Sequence, residues 1–474
     1  MSTSPGGDPR RSIDDLLGGA TRDLRIDVES IDIEPFRPTR RRSPLVAGLA
    51  MIAVTIGAVV WVGRPTDESI VSGPAPTLAS DPSLTTDPGG ATAVPEESTP
   101  TSVRDLDARM PAELVRPSLD ETVIDPAFGQ QVTRITDSAP GEYIAPLTTL
   151  TSAFNADETK LLVYRTTEDG GGEHRVLDLT TGESVVAEIA PTDIEEVAWS
   201  SSEPDILIYV DGVSVMRFDV STGSAVAVRT FDECEQLATA VGGAGLSLDG
   251  DVLSLACLSS SGDSLLAYRF STDTVVTALR EQNPDLFTQA PRVAASGDRF
   301  VFPTEARLGT VLDAALQPMG IEIDPLSTTA LDVNGVDIAI GPSFGGDFAG
   351  SLLAIDLVTG EARPIVEPGP DSTSITNGMT VSASGQLVAF STRAPEDLEA
   401  ADWVAFDGEV VLVDLRSADP VVTRLAHNRT SSALGYWSST FVSVSPSGER
   451  VAFSSDWGSG TSVDTYVIDV GQLD

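Results

Sequence analysis

His427 stands in AHNRTSSALGYW, just ahead of Tyr436 and Trp437, and Trp457 follows in SSDWGSG. An imidazole near large aromatic rings can hold a ligand by stacking and hydrogen bonding. His427, Tyr436, Trp437 and Trp457 are therefore the candidate binding residues. The only other histidine is His174, after the glycine-rich EDGGGE. One histidine does not hold a transition metal well. GPSFG, residues 341 to 345, spells the Gly-x-Ser-x-Gly of a nucleophile elbow around Ser343. That motif needs a strand, a turn and then a helix beneath the serine. The following GDFAGSLLAIDL reads as a loop and a strand, so a glycine-rich turn is expected instead. Asn428-Arg429-Thr430 fits the short glycosylation sequon. Carboxylates in EDGGGEH and DLDARM lack the spacing of a calcium loop, and neither a phosphate-cradling loop nor zinc-ligand spacing is present. No catalytic residue, metal site or cofactor is implied.

The chain has two cysteines, Cys234 and Cys257. Outside the cytoplasm such a pair is expected to be bridged, which adds roughly 3 kcal/mol by the chain-entropy model. The alternative is a pair of unbridged thiols, since Cys257 shares the apolar face of VLSLACL with Leu253 and Leu255. The formal net charge is -42, whereas residues 1–43 balance eight Arg against eight Asp and Glu. Almost all of the acidity therefore lies downstream. Nucleic acid is not an expected partner, because a phosphate backbone needs basic patches that release its counterions.

The elements that must position these residues fall into four parts. PLVAGLAMIAVTIGAVVWVG, residues 44–63, carries no charge. As a helix its Leu45 to Val62 core would be about 27 Å long, close to the thickness of bilayer hydrocarbon. Arg37, Arg40, Arg41 and Arg42 precede it and Arg64 alone follows closely, which predicts a cytoplasmic N-terminus and an uncleaved signal anchor. Residues 1–43 form the cytoplasmic tail, with a short helical pattern in SIDDLLGGATRDL behind the N-cap Ser12. Residues 64–110 are rich in Pro, Ser and Thr and read as a disordered tether. Residues 111–474 carry a repeat.

That repeat is alternating β-runs separated by Ser-Gly, Asp-Gly or Thr-Gly pairs and closing on Asp. SAFNADETKLLVYR with HRVLDLTTGE is one copy, VAWSSSEPDILIYVDGVSVMRFDVSTG the next, and VSVSPSGERVAFSSDW with TYVIDV the last. The period is that of half-buried strands, and the glycines supply the positive φ of tight turns. Units too small to bury their own core must stack, and radial closure protects their edges. The expected fold is all-β, a β-propeller of seven blades, or six if the degenerate copy near 293–325 is not one. ETVIDPAFGQQVTRITD, residues 121–137, is expected to close the ring by pairing with DTYVIDV.

VSVSPSGERVAFSSDW and TYVIDV resemble the repeat of TolB-type β-propellers, in which a Ser-Pro-Asp-Gly-like turn precedes an apolar strand. Here the turn is Ser445-Pro446-Ser447-Gly448. VIDPAFGQQVTRIT is similar to segments that open such propellers. The stretch from His427 through Trp457 is also similar to the last blade of propellers related to oligogalacturonate lyases. That likeness implies a divalent metal held by several histidines, of which only His427 is in place.

The leading expectation is a non-enzymatic, membrane-anchored propeller outside the cytoplasm that binds a cell-envelope protein or glycan. Two alternatives stand beside it: a polysaccharide-active enzyme resembling oligogalacturonate lyase, and a transmembrane sensor signalling through residues 1–43. Protease added to whole cells is expected to leave a resistant, strand-rich core. A helical core, or one shielded by an intact bilayer, would contradict this organisation.

Overall fold

The computed structural model describes residues 106–471 apart from 147–150, 167–170, 241–244, 283–289, 304–308, 324–327, 344–345, 368, 370–374, 395–402 and 432–433. The expected membrane segment 44–63, the tail before it and the tether up to residue 105 lie outside the described residues. Among the described residues no helix is long and apolar enough to cross a membrane.

Asp residues at strand ends explain the repeated turns. Asp178 accepts the backbone N–H groups of Thr180 and Thr181, Asp219 those of Ser221 and Thr222, and Asp356 those of Val358 and Thr359. These Asx turns reverse the chain between the third and fourth strands of a blade. The turn between the first and second strands uses serine instead. The hydroxyls of Ser247, Ser382 and Ser445 each accept the N–H five residues on. Gly448 in the last of these turns has φ +84°, and a Cβ there would collide with Leu387 of the preceding blade. Glycine is thus required both by conformation and by the close approach of two blades.

Seven antiparallel sheets result, and their arrangement is a seven-bladed β-propeller. Blade 1 comprises Tyr143–Ala145, Lys160–Thr166, Gly172–Asp178 and Ser184–Val186. Blade 2 runs from Val197 to Thr230, blade 3 from Gln236 to Leu279, and blade 4 from Arg292 to Ile323. Blade 4 is the degenerate copy and still has four strands. Blade 5 spans Thr328 to Val366. Blade 6 is Ile375–Val381, Leu387–Thr392, Glu409–Asp414 and Val421–His427. Blade 7 has Val442–Val444, Arg450–Ser455 and Asp464–Asp469, completed by Gln131–Arg134 and edged by Thr122–Ile124.

Two details differ from the sequence reading. The inner strand of blade 1 is Tyr143–Ala145, whereas Phe154 makes only an isolated bridge to Leu161. Middle strands are also buried on both faces, as in Val252–Leu258 and Glu409–Asp414, and are not half-buried. Each blade is sandwiched between two others, so the core lies in the inter-blade layers. Leu387 and Leu412 of blade 6, for example, join Val444, Val451 and Phe453 of blade 7 and Val132 in one cluster.

The ring closes through the N-terminal strand. Gln131, Val132, Thr133 and Arg134 pair with Asp469, Ile468, Val467 and Tyr466. Asp464, fully buried at the start of its strand, fixes this seam. Its carboxylate accepts from Arg134 Nε at 3.0 Å, Thr136 Oγ1 at 2.9 Å and the Ser138 amide at 2.8 Å, and it also pairs with Arg116. In blade 3, Cys234 and Cys257 form a disulfide with Cα atoms 5.3 Å apart.

Replacing Asp464 by Ala leaves the buried Arg134 guanidinium with only the exposed Asp137 as an anion and removes the acceptor of Thr136 and Ser138. In urea unfolding of the full-length chain this is expected to cost about 3–5 kcal/mol. Deleting residues 110–137 is expected to abolish cooperative unfolding altogether.

Candidate functional site

Residues 107 to 117 run across blades 6 and 7 as an extended strap held through its carbonyl oxygens. Arg424 Nη1 donates to the Asp107 carbonyl at 2.7 Å and His427 Nε2 to that of Arg109 at 2.6 Å. Arg429 Nη1 reaches Ala112 O at 2.7 Å, Trp457 Nε1 reaches Leu114 O at 3.0 Å, and Arg134 Nη1 reaches Pro117 O at 3.2 Å. Residues 106–110, which composition assigns to the tether, are therefore joined to the propeller. Besides the carbonyls of Asp107 and Arg109, the Leu106 side chain packs on a core cluster and the Arg109 guanidinium donates to Ala127 O, contacts too few to leave a pattern in composition.

Beneath the strap lies a buried ionic layer. Arg424 donates from Nε and Nη2 to Glu409 at 2.6 and 2.5 Å, and its guanidinium sits over the Phe128 and Phe406 rings at 5.1 and 5.8 Å. Removing either partner would strand a charge away from water. Asp125 is also buried and accepts from the amides of Ala127, Phe128 and His427 at 2.9, 3.2 and 3.1 Å. Arg429 Nη2 approaches the same carboxylate at 3.4 Å. Burial alone would push the Asp125 carboxyl up, but hydrogen bonding from His427 and the backbone amides holds it below the usual carboxylate range.

A cleft of about 400 Å³ opens here. Trp403, His427, Asn428, Arg429 and Trp457 line it together with strap residues 111–114. The Arg429 guanidinium lies 5.4 Å from the Trp457 ring, which stacks on Tyr466 at 4.8 Å. Phe406, Arg429 and Trp457 have φ of +74°, +55° and +51°, a left-handed backbone that bulky side chains rarely adopt. Of the seven such non-glycine residues described, Arg429 and Trp457 line this cleft, and Phe406 lies in the neighbouring core.

The four sequence-selected residues do not share one site. His427 and Trp457 line the cleft, but Tyr436 and Trp437 belong to another cluster. Trp437 stacks on Tyr143 and Tyr164 with centroids at 6.1 and 5.9 Å, and the Tyr436 hydroxyl bonds the Glu195 carboxylate. Sequence adjacency misleads because a short 3-10 turn, Gly435–Ser438, carries these rings toward blade 1. His174 packs against Tyr164 there, and its Nε2 meets the Ile194 carbonyl at 2.8 Å. Burial pushes its imidazole down, favouring the neutral ring.

Both histidines thus direct Nε2 at backbone carbonyls, and they sit in blades 1 and 6. Among the described residues no three His, Cys, Asp or Glu side chains gather as a metal site. This donor set does not fit the several-histidine centre that the likeness to oligogalacturonate lyases implies. Ser343 is buried at the end of Asp337–Pro342, and among the described residues only a one-turn 3-10 helix, Gly346–Phe348, precedes the next strand, Leu352–Asp356, where an elbow needs an α-helix. Asn428 of the sequon is buried, and its amide donates to the Thr392 carbonyl at 2.6 Å. Sequence reasoning missed Asp125, Trp403, Glu409, Arg424 and Arg429. The usable signal was a charge inside an otherwise apolar strand, as in GEVVLVDL and VVTRLAH.

No protein-family model matches this sequence, and no curated protein matches it. Solved structures do share the fold. An oligogalacturonate lyase in complex with manganese has a TM-score of 0.52 and 15% identity, over 75% of this chain and 97% of that one. An oligogalacturonate lyase from Vibrio parahaemolyticus has the same score and identity, over 74% and 96%. Identity that low establishes a common seven-bladed architecture and nothing of the chemistry.

Because the folded pKa of Asp125 is depressed, its contribution to stability is complete above the unfolded carboxylate pKa of about 3.9 and is lost as pH falls through the folded value. Asp125→Asn is expected to flatten the fall in unfolding free energy between about pH 5 and 2 relative to the parent chain. Parallel curves for the two proteins would show that Asp125 is not held in its ionised form.

Proposed function

We propose that this chain is a single-pass, membrane-anchored protein whose TolB-type propeller lies outside the cytoplasm and binds a cell-envelope protein or glycan. The observation that carries the binding reading is the strap cleft, where two indoles and several polar groups are brought together, Arg429 and Trp457 on left-handed backbone. Such a concave, mostly apolar surface with a few placed polar groups suits recognition. The Cys234–Cys257 disulfide agrees with an oxidising compartment. The uncharged segment 44–63, with its flanking arginines, supplies the anchor and its orientation.

Catalysis on polysaccharide is the competing reading, supported by the shared fold and by the likeness of residues 427–457 to the last blade of oligogalacturonate-lyase-related propellers. Against it, the imidazole at the cleft is tied to the Arg109 carbonyl, and Glu113 is the single carboxylate among the described residues lining it. Hydrolysis of a glycosidic bond ordinarily uses two carboxylates, so the lining does not suit a hydrolase, while elimination as in a lyase would need a general base there. A sensor that signals through residues 1–43 requires a cytoplasmic partner for that tail.

Crosslinking intact cells is expected to attach an envelope component to the region after residue 64, and the purified chain is expected to leave acidic glycans uncut. Cleavage that disappears in a folded His427→Ala variant would establish the enzyme instead. A cytoplasmic protein co-purifying through residues 1–43 would favour the sensor.

A further inference from the structure

Each blade ends in an outer strand whose outward N–H and C=O groups have no partner in the sheet. Natural proteins guard such edges by shortness, proline, charge or a covering segment. Blades 1 and 7 end in strands of three residues, Ser184–Val186 and Thr122–Ile124. Pro318–Ile323 of blade 4 carries Pro318 and Glu322, and Ala362–Val366 of blade 5 carries Arg363 and Pro364. Val421–His427 of blade 6 is almost wholly buried and bears the strap. Thr274–Leu279 of blade 3 buries Ala278 and runs into a 3-10 turn that begins at Arg280. Blade 2 is different. Its outer strand, Ser224–Thr230, is seven residues long with none buried, and Val226 and Val228 are 58% and 40% exposed. A shift in register follows Ala227, but residues 224–227 pair regularly with residues 216–219. The strand's one charge, Arg229, is engaged elsewhere, meeting Asp273 of blade 3 at 3.3 Å and lying 5.7 Å from the Phe231 ring.

We propose that Ser224–Thr230 accepts a β-strand of another protein, apolar at its centre and basic at its ends, which extends blade 2 by a fifth strand. The fold already contains such an extension, because Thr122–Ile124 adds a fifth strand to blade 7. Main-chain hydrogen bonds supply the attachment, and the exposed valines supply contacts for alternate side chains. Charge selects the partner. Asp219 lies at the turn before Ser224, and the exposed Asp232 and Glu233 follow Thr230, so both ends of the edge are acidic while its centre is not. A second copy of this chain does not fit, since pairing two such strands in either direction sets acidic ends against acidic ends. Like charges opposed across a sheet are destabilising. Basic ends on an incoming strand meet these carboxylates instead. The edge lies in blade 2, apart from the strap cleft of blades 6 and 7, so it goes beyond the binding reading above and rests on none of the same contacts.

A basic peptide is attracted to any part of a chain whose net charge is -42, so the test has to be local. Hydrogen exchange of residues 224–230 is followed in the full-length chain with the capped peptide Lys-Arg-Thr-Val-Thr-Val-Thr-Arg-Lys. Exchange there is expected to slow about ten-fold or more at saturation. A version with Glu at every charged position is expected to bind about ten-fold more weakly in low salt, and the gap to narrow as salt rises. A version with Pro in place of both Val keeps the charge but cannot add as a strand, and is expected to protect nothing. Asp232→Asn combined with Glu233→Gln, both at exposed positions, is expected to keep the parent melting temperature and to shrink the basic peptide's advantage about three-fold. No slowing at residues 224–230 with the basic peptide would overturn the proposal, as would equal protection by the proline version or equal binding of the acidic one. An unchanged preference in the double variant would remove charge as the selector and overturn it too. Protection that appears without peptide and grows with protein concentration would make a second copy the occupant, with the same consequence.

Discussion

The seam between Gln131–Arg134 and Asp464–Asp469 is the constraint on which the other blades depend. Without it blade 7 would have three strands and an unpaired edge facing outward. A ring whose units are too thin to stand alone is stable only when each inter-blade layer is covered on both sides. Closure therefore does more than join two ends, because it gives every blade two neighbours. Asp464 concentrates this requirement in one side chain. It sits on the last blade and accepts from Arg134, Thr136 and Ser138, which all come from the N-terminal segment.

The same seam places the strap, and the strap shapes the cleft. Arg116 of the strap pairs with Asp464, so the closing anion also anchors the segment that crosses blades 6 and 7. Side chains from blades 6 and 7 take hold of strap carbonyls, and the strap's own Arg109 and Arg116 reach back to Ala127 O and Asp464. Pro111, Ala112, Glu113 and Leu114 are thereby left to line a wall. The buried Glu409–Arg424 pair lies in the same place. Burial raises the Glu409 carboxyl despite Arg424, so bidentate geometry and the Phe128 and Phe406 rings offset only part of its desolvation cost, while the pair gives Arg424 a single orientation.

A shared architecture with oligogalacturonate lyases does not carry their chemistry across, because propeller blades only supply rigid edges on which loops are mounted. In this chain the imidazoles are engaged with backbone carbonyls, and the aromatic surface is divided between two places. One is the strap cleft. The other is the Tyr143–Trp437–Tyr164 stack, which is filled by its own rings.

The propeller and its closure were legible in the sequence, and the blade count to seven or six, since strand alternation and turn glycines are local properties that recur along the chain. The structure has seven. The seam partner could be named because both strands carry their own β-pattern. The inner strand of blade 1 was not legible, for Tyr143–Ala145 is too short to show a period. Neither was the site. His427 and Trp457 drew notice by residue type, but what they touch depends on a strap 318 and 343 positions away. Tyr436 and Trp437 are their close neighbours in sequence and end up elsewhere. Local sequence thus determined the repeating unit, because turns and strands answer to neighbouring residues. Only tertiary structure decided the site, because closing the ring brings Asp125, Arg429 and the strap together from the two ends of the propeller.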